Sequence, residues 1–376
     1  MGPEQFHRAV GPDHLSPDRG PAELDRCAMK VLVTGGTGFV GSHAVEALVR
    51  AGHEVRLLAR SPEKVDRVMA TRRIEGLDVV LGDMTDAARV RAALTGCDAV
   101  LHAAAEVEIG RAKDVFESNV AGSHNVLGTA VELGLDPVLV ISSIATMFPP
   151  TGPAITVGDP IVNSSSGYGR SKAEGERYAR ELQAAGKPVV SIYPSAVTGP
   201  DDPGPSATVK GLRDSIRFGY LITSGGVGRV DVRDLATVVV AALEPGRGPR
   251  RYMAGGRFLP WAEEAALCEQ IIGRRVRRIP APPWSVRLVG RTVDAIKAVM
   301  PSFDYPLTYE ASLFMTRMVP CDDQKTSEEL GVTFRASRET LTDTIRFLLE
   351  AAELEPSQAP ALSAPKVSSG GPSETR

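Results

Sequence analysis

A tyrosine and a lysine four residues apart are the residues of this sequence best suited to proton transfer. They lie in the run Gly167-Tyr-Gly-Arg-Ser-Lys172, and side chains four residues apart project from the same face of a helix. A tyrosine has a pKa of about 10, too high for an efficient base at neutral pH, but a nearby ammonium stabilises the phenolate. We therefore predict that Tyr168 is a general acid/base and that Lys172 lowers its pKa.

Two serines, Ser142 and Ser143, follow the apolar run Val138 to Ile141. If that run is a strand of a parallel sheet, both hydroxyls lie at the carboxyl edge, where the sites of such sheets form. One hydroxyl would hold the oxygen of a carbonyl or alcohol beside the tyrosine. We assign this role to Ser143, with Ser142 as the competing register, because serines at strand ends also commonly bind backbone groups.

Three glycines, Gly35, Gly38 and Gly41, recur at three-residue intervals between an apolar strand and a helix. The first permits a tight turn, the second lets the backbone approach a pyrophosphate, and the third lets the helix pack closely on the strand. The helix N-terminus then faces the diphosphate with its partial positive charge. The pattern predicts a dinucleotide site, and the other residues of the turn expected to contact the cofactor are Thr37, Phe39 and Val40.

The end of the second strand bears on which dinucleotide is bound. In such folds an acidic residue about twenty residues after the glycines commonly binds the ribose of NAD. Here Ala59 stands at that position and Arg60 follows it. The missing carboxylate removes repulsion against a 2′-phosphate, and the guanidinium offers charged donors to it. NADP(H) is favoured, with Ser61 and Lys64 as further contacts, and NAD(H) is the alternative if Arg60 is only a surface residue.

The third strand ends in Leu81-Gly-Asp-Met84. Asp83 is expected to hydrogen-bond the adenine amino group, with Met84 beside it, although an aspartate at this point could equally cap the following helix.

The composition limits the classes of partner. The 376 residues are 43% hydrophobic and 24% charged, with a formal net charge of -3. This is ordinary globular composition without the basic surface that nucleic acid requires. The 4 cysteines are far apart in the sequence, so neither a zinc motif nor a disulfide framework is predicted. We expect a small-molecule substrate and no metal site.

Short apolar strands alternate with amphipathic helices from Lys30 to Tyr193. This alternation predicts an α/β fold, a Rossmann-type doubly wound parallel sheet covered on both faces. Residues 29–193 are assigned to this domain. Residues 194–354 are assigned to a smaller, mixed C-terminal substrate-binding region, part of which returns to the sheet. The Pro- and Gly-rich segments 1–28 and 355–376 are predicted to be disordered.

No apolar run reaches the roughly 18 residues that span a bilayer, and the N-terminus lacks an apolar signal core. A cytoplasmic location is therefore expected. Residues 284–300 combine apolar side chains with Arg287, Arg291 and Lys297. The pattern fits a helix packed on its own domain with a solvated cationic face, and alternatively a helix resting on a membrane surface.

Together these motifs resemble the extended short-chain dehydrogenase/reductase superfamily, in the branch of NAD-dependent epimerase/dehydratases, dihydroflavonol reductase-like and 3β-hydroxysteroid dehydrogenase-like enzymes. The resemblance runs from about Met29 to Glu350 and includes Asn119-Val-Ala-Gly-Ser-His-Asn-Val-Leu127. It implies that Lys172 also binds the nicotinamide ribose, and that the enzyme is a homodimer formed through the helices near 112–133 and 168–185. The further cofactor contacts that it implies are Ala103, Ala104, Asn119, Pro194 and Val197.

Two departures from the superfamily narrow the function. Many relatives carry Arg where this sequence has Tyr193, and the second-strand acid is absent. Epimerases of the superfamily retain a tightly bound NAD, so the second departure favours net reduction or oxidation. The leading hypothesis is an NADP(H)-dependent oxidoreductase that interconverts a carbonyl and an alcohol on a hydrophobic, steroid-, terpenoid- or lipid-like substrate.

Two other functions stay open. One is an NAD-dependent sugar-nucleotide epimerase or dehydratase, which would need a diphosphate site from Arg274, Arg275, Arg277 and Arg278, although such clusters are more often solvated. The other is an NADP-sensing protein that kept the fold but lost the chemistry. The intact tyrosine and lysine argue against this last hypothesis.

Overall fold

The structure is a computed structural model that describes residues 28–105, 112–164, 167–300, 303, 305 and 307–363. Apart from Ala28, the predicted N-terminal leader lies outside the described residues, and so does the predicted tail from residue 364 onward.

Strands and helices alternate through the first part of the chain. In chain order they are β1 (Lys30–Thr34), α1 (Phe39–Arg50), β2 (Glu54–Ala59), α2 (Pro62–Thr71), β3 (Asp78–Leu81), α3 (Ala87–Leu94), β4 (Ala99–His102), α4 (Ala112–Glu132), β5 (Val138–Ile141), α5 (Gly167–Ala184) and β6 (Val189–Pro194). The predicted alternation of strands and helices is present, and the helices expected near 112–133 and 168–185 are α4 and α5. The sequence analysis missed α2, although Ser61 caps it and Pro62 occupies its first turn, two ordinary signals of a helix start.

The second part of the chain mixes short strands with helices. Its elements are β7 (Ala196–Thr198), α6 (Ala207–Phe218), β8 (Tyr220–Ile222), β9 (Gly226–Asp231), α7 (Val232–Ala241), β10 (Arg250–Ala254), β11 (Arg257–Pro260), α8 (Trp261–Ile272), β12 (Arg278–Pro280), α9 (Pro283–Val299), α10 (Tyr309–Arg317), α11 (Gln324–Leu330), α12 (Ser337–Glu350) and α13 (Pro360–Ser363).

Seven parallel strands form the main sheet in the order β10-β6-β5-β4-β1-β2-β3. The direction of winding reverses between β1 and β4, and this reversal opens a crevice at the carboxyl ends of those two strands. The predicted doubly wound fold is confirmed. Strand β10 comes from the C-terminal region and pairs with β6, so the chain returns to the sheet after leaving it.

Helices cover both faces of the sheet, which explains why its strands are apolar throughout. Successive residues of β1 enter different cores: Val31 and Val33 pack under α1 and α7, and Leu32 packs under α3 and α4. All three side chains are fully buried, and burying such a side chain contributes roughly 1.5–3 kcal/mol.

The C-terminal region has its own core, built from α6, α8 and α12 around residues such as Leu212, Ile272 and Ile345. A buried ion pair joins β9 to α8. The Nε and Nη2 atoms of Arg229 lie 2.8 and 3.0 Å from the two carboxylate oxygens of Glu264. This two-point contact orients both charges, as a buried pair requires.

Residues 355–363 correct the predicted C-terminal tail. Instead of being disordered, they form a 3-10 turn, Pro356–Gln358, and the short helix α13. Leu354 and Ala359 are buried in the C-terminal core. The prediction of disorder rested on the Pro-rich composition, but the burial of these two apolar side chains orders the segment.

The segment 284–300 is the helix α9, which packs on α10 and buries Val286, Gly290 and Val293. Within the part of the chain that the structure describes, no helix has the length and apolar character needed to cross a membrane.

Candidate active site

The glycine turn lies at the crevice between β1 and β4, and it is too tightly packed for larger residues. Gly35 has a φ of +74°, and a Cβ on it would lie 2.6 Å from the backbone nitrogen of Ala104. A Cβ on Gly41 would lie 2.1 Å from the carbonyl oxygen of Gly35. Both distances are shorter than any van der Waals contact, so β1, β4 and α1 approach this closely only because the two residues are glycine.

The first turn of α1 is arranged to receive an anion. Its N-cap residue, Gly38, has no side chain to bind the amides of that turn, and the turn contains no acidic residue. The predicted contacts Thr37, Phe39 and Val40 flank this glycine. Free amides and the helix dipole at a helix N-terminus bind phosphate groups, so the turn fits the pyrophosphate of a dinucleotide.

Arg60 and Asp83 come together at the ends of β2 and β3. The Nη1 atom of Arg60 lies 3.6 Å from a carboxylate oxygen of Asp83, and the Arg60 side chain is two-thirds exposed. Burial alone would raise the pKa of Asp83, but hydrogen bonds from Thr85 and the charge of Arg60 outweigh it and lower that pKa. Asp83 is therefore an ionised neighbour that orients Arg60. The Ser61 hydroxyl accepts a hydrogen bond from the Lys64 amide as the cap of α2, so it has a structural partner already.

Helix α4 holds the turn that carries Asp83 and Met84. A Cβ on Gly122 would lie 2.5 Å from the Met84 sulfur, and the Asn125 amide donates to the carbonyls of Met84 and Thr85 at 3.1 and 3.0 Å. The sequence analysis did not single out Gly122 or Asn125. Their three-residue spacing, which puts both on one helix face, is the signal that could have identified them.

A small cavity lies between the carboxyl ends of β4 and β5 and the helices α4 and α5. On one wall, His102 is hydrogen-bonded to Thr34 at 2.8 Å and to Ser123 at 3.2 Å. Burial, reinforced by the charge of Lys172, lowers the pKa of His102 to about 3, so this imidazole is neutral. The lining also includes the predicted site residues Ala104, Asn119, Ser142 and Lys172. Asn119 donates to Ser171 at 3.2 Å, which ties α4 to α5.

The Lys172 ammonium projects into this cavity and donates to the Ile141 carbonyl at 2.9 Å. Burial lowers the pKa of Lys172 to about 8, although the negative charge of Glu176 raises it.

Glu176 is fully buried one helical turn farther along α5. One of its oxygens accepts from the Tyr193 hydroxyl at 2.5 Å and from Arg180 at 3.1 Å. The position that is Arg in many relatives thus holds a tyrosine here, and the positive charge comes from α5 itself. The spacing of four from Lys172 could have identified Glu176 in the sequence.

Tyr168 is half-buried at the start of α5, and burial raises its pKa to about 12. The predicted lowering of this pKa by Lys172 is not seen. The reason is that the ammonium is turned toward the end of β5, where a backbone carbonyl accepts from it. Tyr168 is therefore a neutral phenol near pH 7, which makes it a proton donor.

The two candidate serines differ in surroundings. Ser143 is half-buried, and its hydroxyl accepts from the Ala145 amide at 3.1 Å, beginning the 3-10 helix Ile144–Met147. Ser142 is 5% exposed, faces the Lys172 cavity, and its hydroxyl has no hydrogen-bond partner.

We expect the two serine-to-alanine variants to separate these roles. Ser143→Ala should lose about 1 kcal/mol of stability with its cap, and it should lower kcat about 10- to 100-fold if the hydroxyl binds the reacting oxygen. Ser142→Ala removes an unsatisfied buried hydroxyl and should leave the free energy of unfolding unchanged or slightly raised. Denaturant titration and steady-state kinetics measure both effects. A larger loss of kcat in Ser142→Ala would reverse the assignment.

The predicted contact Pro194 ends β6, and the predicted contact Val197 lies in β7. Between them, the Ser195 hydroxyl lies 3.0 Å from the Gly228 carbonyl and 2.5 Å from the Gly255 carbonyl. This hydroxyl therefore ties the carboxyl end of β6 to β9 and to the residue that follows β10. Val197 packs against the core under α1, as does Ala103 on the opposite side of the crevice.

Helix α10 covers the catalytic side of the sheet. The Phe314 ring stacks on Phe148 with 4.0 Å between centroids, directly after the 3-10 helix that Ser143 begins. The Ser164 hydroxyl donates to Glu310 at 2.8 Å, four residues before Tyr168. These two contacts tie α10 to the segments on either side of residues 149–163. Among the described residues, no group of three or more His, Cys, Asp or Glu is placed to hold a metal ion.

A doubly wound sheet with a glycine turn at its crevice and a tyrosine-lysine helix beyond β5 defines a class: this is an NAD(P)-dependent oxidoreductase of the extended short-chain dehydrogenase/reductase type. The sequence model of the NAD dependent epimerase/dehydratase family matches residues 31–255, and the chain belongs to that family.

Relatives and solved structures resemble the chain over most of its length. It is 25% identical over 335 residues to sterol demethylase protein B of Methylococcus capsulatus, covering 86% of this chain and 99% of that one. It is 26% identical over 329 residues to the 4-hydroxy-2-methyl-3-oxo-4-farnesyl-3,4-dihydroquinoline-1-oxide ketoreductase of Stigmatella aurantiaca, covering 85% and 96%. UDP-glucose-4-epimerase of Stenotrophomonas maltophila, solved with bound NAD and formylated UDP-arabinopyranose, superposes with a TM-score of 0.69 at 20% identity, covering 86% and 99%.

Proposed function

We propose that the enzyme is an NADP(H)-dependent oxidoreductase that interconverts a carbonyl and an alcohol on a hydrophobic, steroid-, terpenoid- or lipid-like substrate. The observation that carries the cofactor choice is Arg60, a largely exposed guanidinium at the end of β2 with Ala59 where an acid would bind NAD. Asp83 lies beside Arg60 and orients it. A guanidinium can make two parallel charge-assisted hydrogen bonds, and this geometry suits a 2′-phosphate.

In the direction of reduction, Tyr168 donates its phenolic proton to the carbonyl oxygen as that oxygen gains negative charge. The Ser143 hydroxyl holds the same oxygen, and the Lys172 ammonium keeps the site electropositive. Bound NADPH would supply the hydride. Burial raises the pKa of Tyr168 to about 12, so the phenol carries the proton that this role requires near pH 7.

The hydrophobic substrate class is supported by two observations. The stacked rings of Phe148 and Phe314 stand beside the segment that begins at Ser143. Two relatives that align along most of their length bear the names of a sterol demethylase protein and a farnesyl-quinoline ketoreductase.

The cofactor preference is tested by titrating the protein with NADPH and NADH and following nicotinamide fluorescence. We expect Arg60→Ala to weaken NADPH binding about 10- to 100-fold, the loss expected for charge-assisted hydrogen bonds to a phosphate, and to leave NADH binding unchanged. Arg67→Ala, an exposed arginine of α2, is the matched control. Tighter binding of NADH by the unaltered protein would contradict the proposal.

The sugar-nucleotide epimerase hypothesis has less support. It needs a diphosphate site in the C-terminal region, but Arg274 donates to the carbonyls of Gln358 and Ile216, and Arg278 donates to Glu269. Two of the four arginines of the cluster, Arg274 and Arg278, therefore bind groups of the protein itself. The NADP-sensing hypothesis is disfavoured because Tyr168 and Lys172 are both retained.

We also propose that the protein acts in the cytoplasm as a homodimer joined through α4 and α5. These helices pack together, and the family resemblance implies that this helix pair joins two copies. Sedimentation at micromolar concentration tests the oligomeric state, and a monomer would contradict it.

A further inference from the structure

The cavity between the carboxyl ends of β4 and β5 and the helices α4 and α5 has the size of a site for one water molecule. It leaves about 20 Å³ for the centre of a water-sized sphere. A buried water needs roughly 10–15 Å³ by that measure, together with two to four polar partners. Ser142, Lys172 and Glu176 all line this cavity. One water therefore fits among them, and a larger molecule does not.

Two polar atoms in the lining have no hydrogen-bond partner within the part of the chain that the structure describes. They are the Ser142 hydroxyl and the Oε2 atom of Glu176, and their residues are only 5% and 2% exposed. By contrast, the His102 ring in the same lining is hydrogen-bonded to Thr34 and Ser123. A buried polar atom without a partner is strongly unfavourable. A water in this cavity would stabilise both unpartnered atoms.

The carboxylate of Glu176 is held in a fixed orientation by its other oxygen. The Oε1 atom accepts from the Tyr193 hydroxyl at 2.5 Å and from the Nε of Arg180 at 3.1 Å. Charge-assisted hydrogen bonds of this kind are directional and strong. The carboxylate cannot rotate without breaking both of them, so the Oε2 atom stays available to the cavity that Glu176 lines.

The Lys172 ammonium has more donors than its one observed contact uses. An ammonium carries three N–H donors and no acceptor, and the Ile141 carbonyl takes one of them at 2.9 Å. A water can accept a second donor and give its own two hydrogens to the Glu176 Oε2 atom and the Ser142 hydroxyl. This arrangement gives the water three hydrogen bonds, the usual number for a buried water. One ammonium donor is left for the nicotinamide ribose that the family resemblance assigns to Lys172.

Glu176 is the charged neighbour that Lys172 has among the described residues lining the cavity. From β4, His102 faces the ammonium as a neutral ring, because burial lowers its pKa to about 3. Helix α4 and the end of β5 contribute only uncharged side chains to the lining. On α5, Tyr168 is a neutral phenol with a pKa raised by burial to about 12. Burial lowers the pKa of Lys172 to about 8, and the charge of Glu176 limits that fall.

We propose that Glu176 is a positioning residue of the active site, and that one water molecule bound between its Oε2 atom, the Ser142 hydroxyl and the Lys172 ammonium holds that ammonium in place and keeps it protonated. The water site rests on the cavity and its two unpartnered atoms. The importance of Lys172 for the reaction rests on the proposed function.

A crystal structure of the full chain, at a resolution that shows ordered waters, tests the water site without any assay of activity. We expect a water within hydrogen-bonding distance of the Ser142 hydroxyl, the Glu176 carboxylate and the Lys172 ammonium. A direct contact between Lys172 and Glu176, with no water between them, would overturn this part of the proposal. Ser142→Ala should leave the water on its other two partners, so the small change in stability expected for that variant stands.

The role of Glu176 is tested by titrating Lys172 itself. The full chain is labelled with lysine carrying ¹³C at the ε carbon, and the Lys172 signal is identified by its absence in Lys172→Arg. We expect Glu176→Gln to lower the pKa of Lys172 by about one unit, because the substitution keeps the shape of the side chain and removes the opposite charge. The rate of ketone reduction should then begin to fall at a pH about one unit lower than in the unaltered enzyme.

The matched control is Tyr193→Phe, which weakens the contacts of Glu176 at Oε1 and keeps its charge. Both variants should lower the melting temperature, but only Glu176→Gln should move the pKa of Lys172. An equal pKa in Glu176→Gln and the unaltered protein, or an equal shift in both variants, would reduce Glu176 to a structural residue and leave the proposed function standing. If Glu176→Gln shifts the pKa as expected but Tyr168→Phe keeps its full kcat, the proposed function fails and the water site stands.

Discussion

Replacing Tyr168 with phenylalanine is expected to lower kcat for carbonyl reduction about 10²- to 10⁴-fold, the contribution of a positioned general acid. The substitution keeps the ring and removes the hydroxyl that we propose as the proton donor to the developing alkoxide. Because the side chain is half-buried at the start of α5, little else should change. NADPH affinity and the free energy of unfolding should stay close to those of the unaltered enzyme. Steady-state kinetics with a hydrophobic ketone measure the loss.

The pH profile gives the same prediction a second readout. The Lys172 pKa is lowered to about 8 by burial, so its ammonium is present below that pH and lost above it. Tyr168, with a pKa raised to about 12, stays protonated across this range. The rate of reduction should therefore be constant below about pH 7 and fall as the pH rises through the Lys172 pKa.

The matched control for Tyr168→Phe is Tyr178→Phe, because Tyr178 is a half-buried tyrosine of the same helix, stacked on His124. An unchanged kcat in Tyr168→Phe would remove the tyrosine from the chemistry.

Replacing Gly41 with alanine is expected to weaken NADPH binding about 100-fold or more. The added Cβ would lie 2.1 Å from the Gly35 carbonyl oxygen and 2.7 Å from its carbonyl carbon. Those atoms belong to the backbone of the turn, so no side chain can move aside. The turn has to open, and the amides at the start of α1 lose their alignment with the pyrophosphate. Overpacking of this kind also costs about 1–3 kcal/mol of stability. Fluorescence titration and thermal unfolding measure the two losses.

Gly35→Ala should behave similarly, because its Cβ would meet the backbone of Ala103 and Ala104 at 2.7 and 2.6 Å. Two control variants distinguish the backbone strain of a positive φ from the steric clash of an added Cβ. Gly52 shares the positive φ, +84°, and Gly211 shares the helical setting of Gly41, and neither has an atom within 4 Å of an added Cβ. Gly52→Ala should lose only about 1 kcal/mol of stability, and Gly211→Ala should lose none. Full NADPH affinity in Gly41→Ala would show that the turn does not bind the pyrophosphate.

The parts of the fold that rest on local periodicity could be predicted. The central positions of strands such as β1 are apolar because both faces of a doubly wound sheet are covered. A continuous apolar run of this kind can be recognised from the local sequence alone. The glycine spacing likewise identified a turn whose backbone approach to Ala104 and Gly35 allows no side chain. The tail was harder. Leu354 and Ala359 pack on a core formed by α6, α8 and α12. The composition of a Pro-rich segment does not show which distant helices it packs against.

Which candidate residues share an element could be predicted from the sequence, but the electrostatics around them could not. The spacing of Tyr168 and Lys172 puts them on one face of a helix, but it does not show which other groups accept hydrogen bonds from the Lys172 ammonium. The carbonyl of Ile141 belongs to β5, and its position relative to α5 depends on how that helix crosses the sheet. Glu176, Tyr193 and Arg180 form a buried network for the same reason. Such networks depend on distances between elements.

By itself the sequence determined the doubly wound sheet, the glycine turn and the class of enzyme, because strand pattern, turn chemistry and helical spacing are local properties of the chain. Only the tertiary structure decided which hydroxyl faces Lys172, how Asp83 orients Arg60, and which side of α9 is left uncovered. Each of these depends on burial and on atoms far apart in the chain, and burial sets both the pKa of a side chain and the cost of leaving it without a partner.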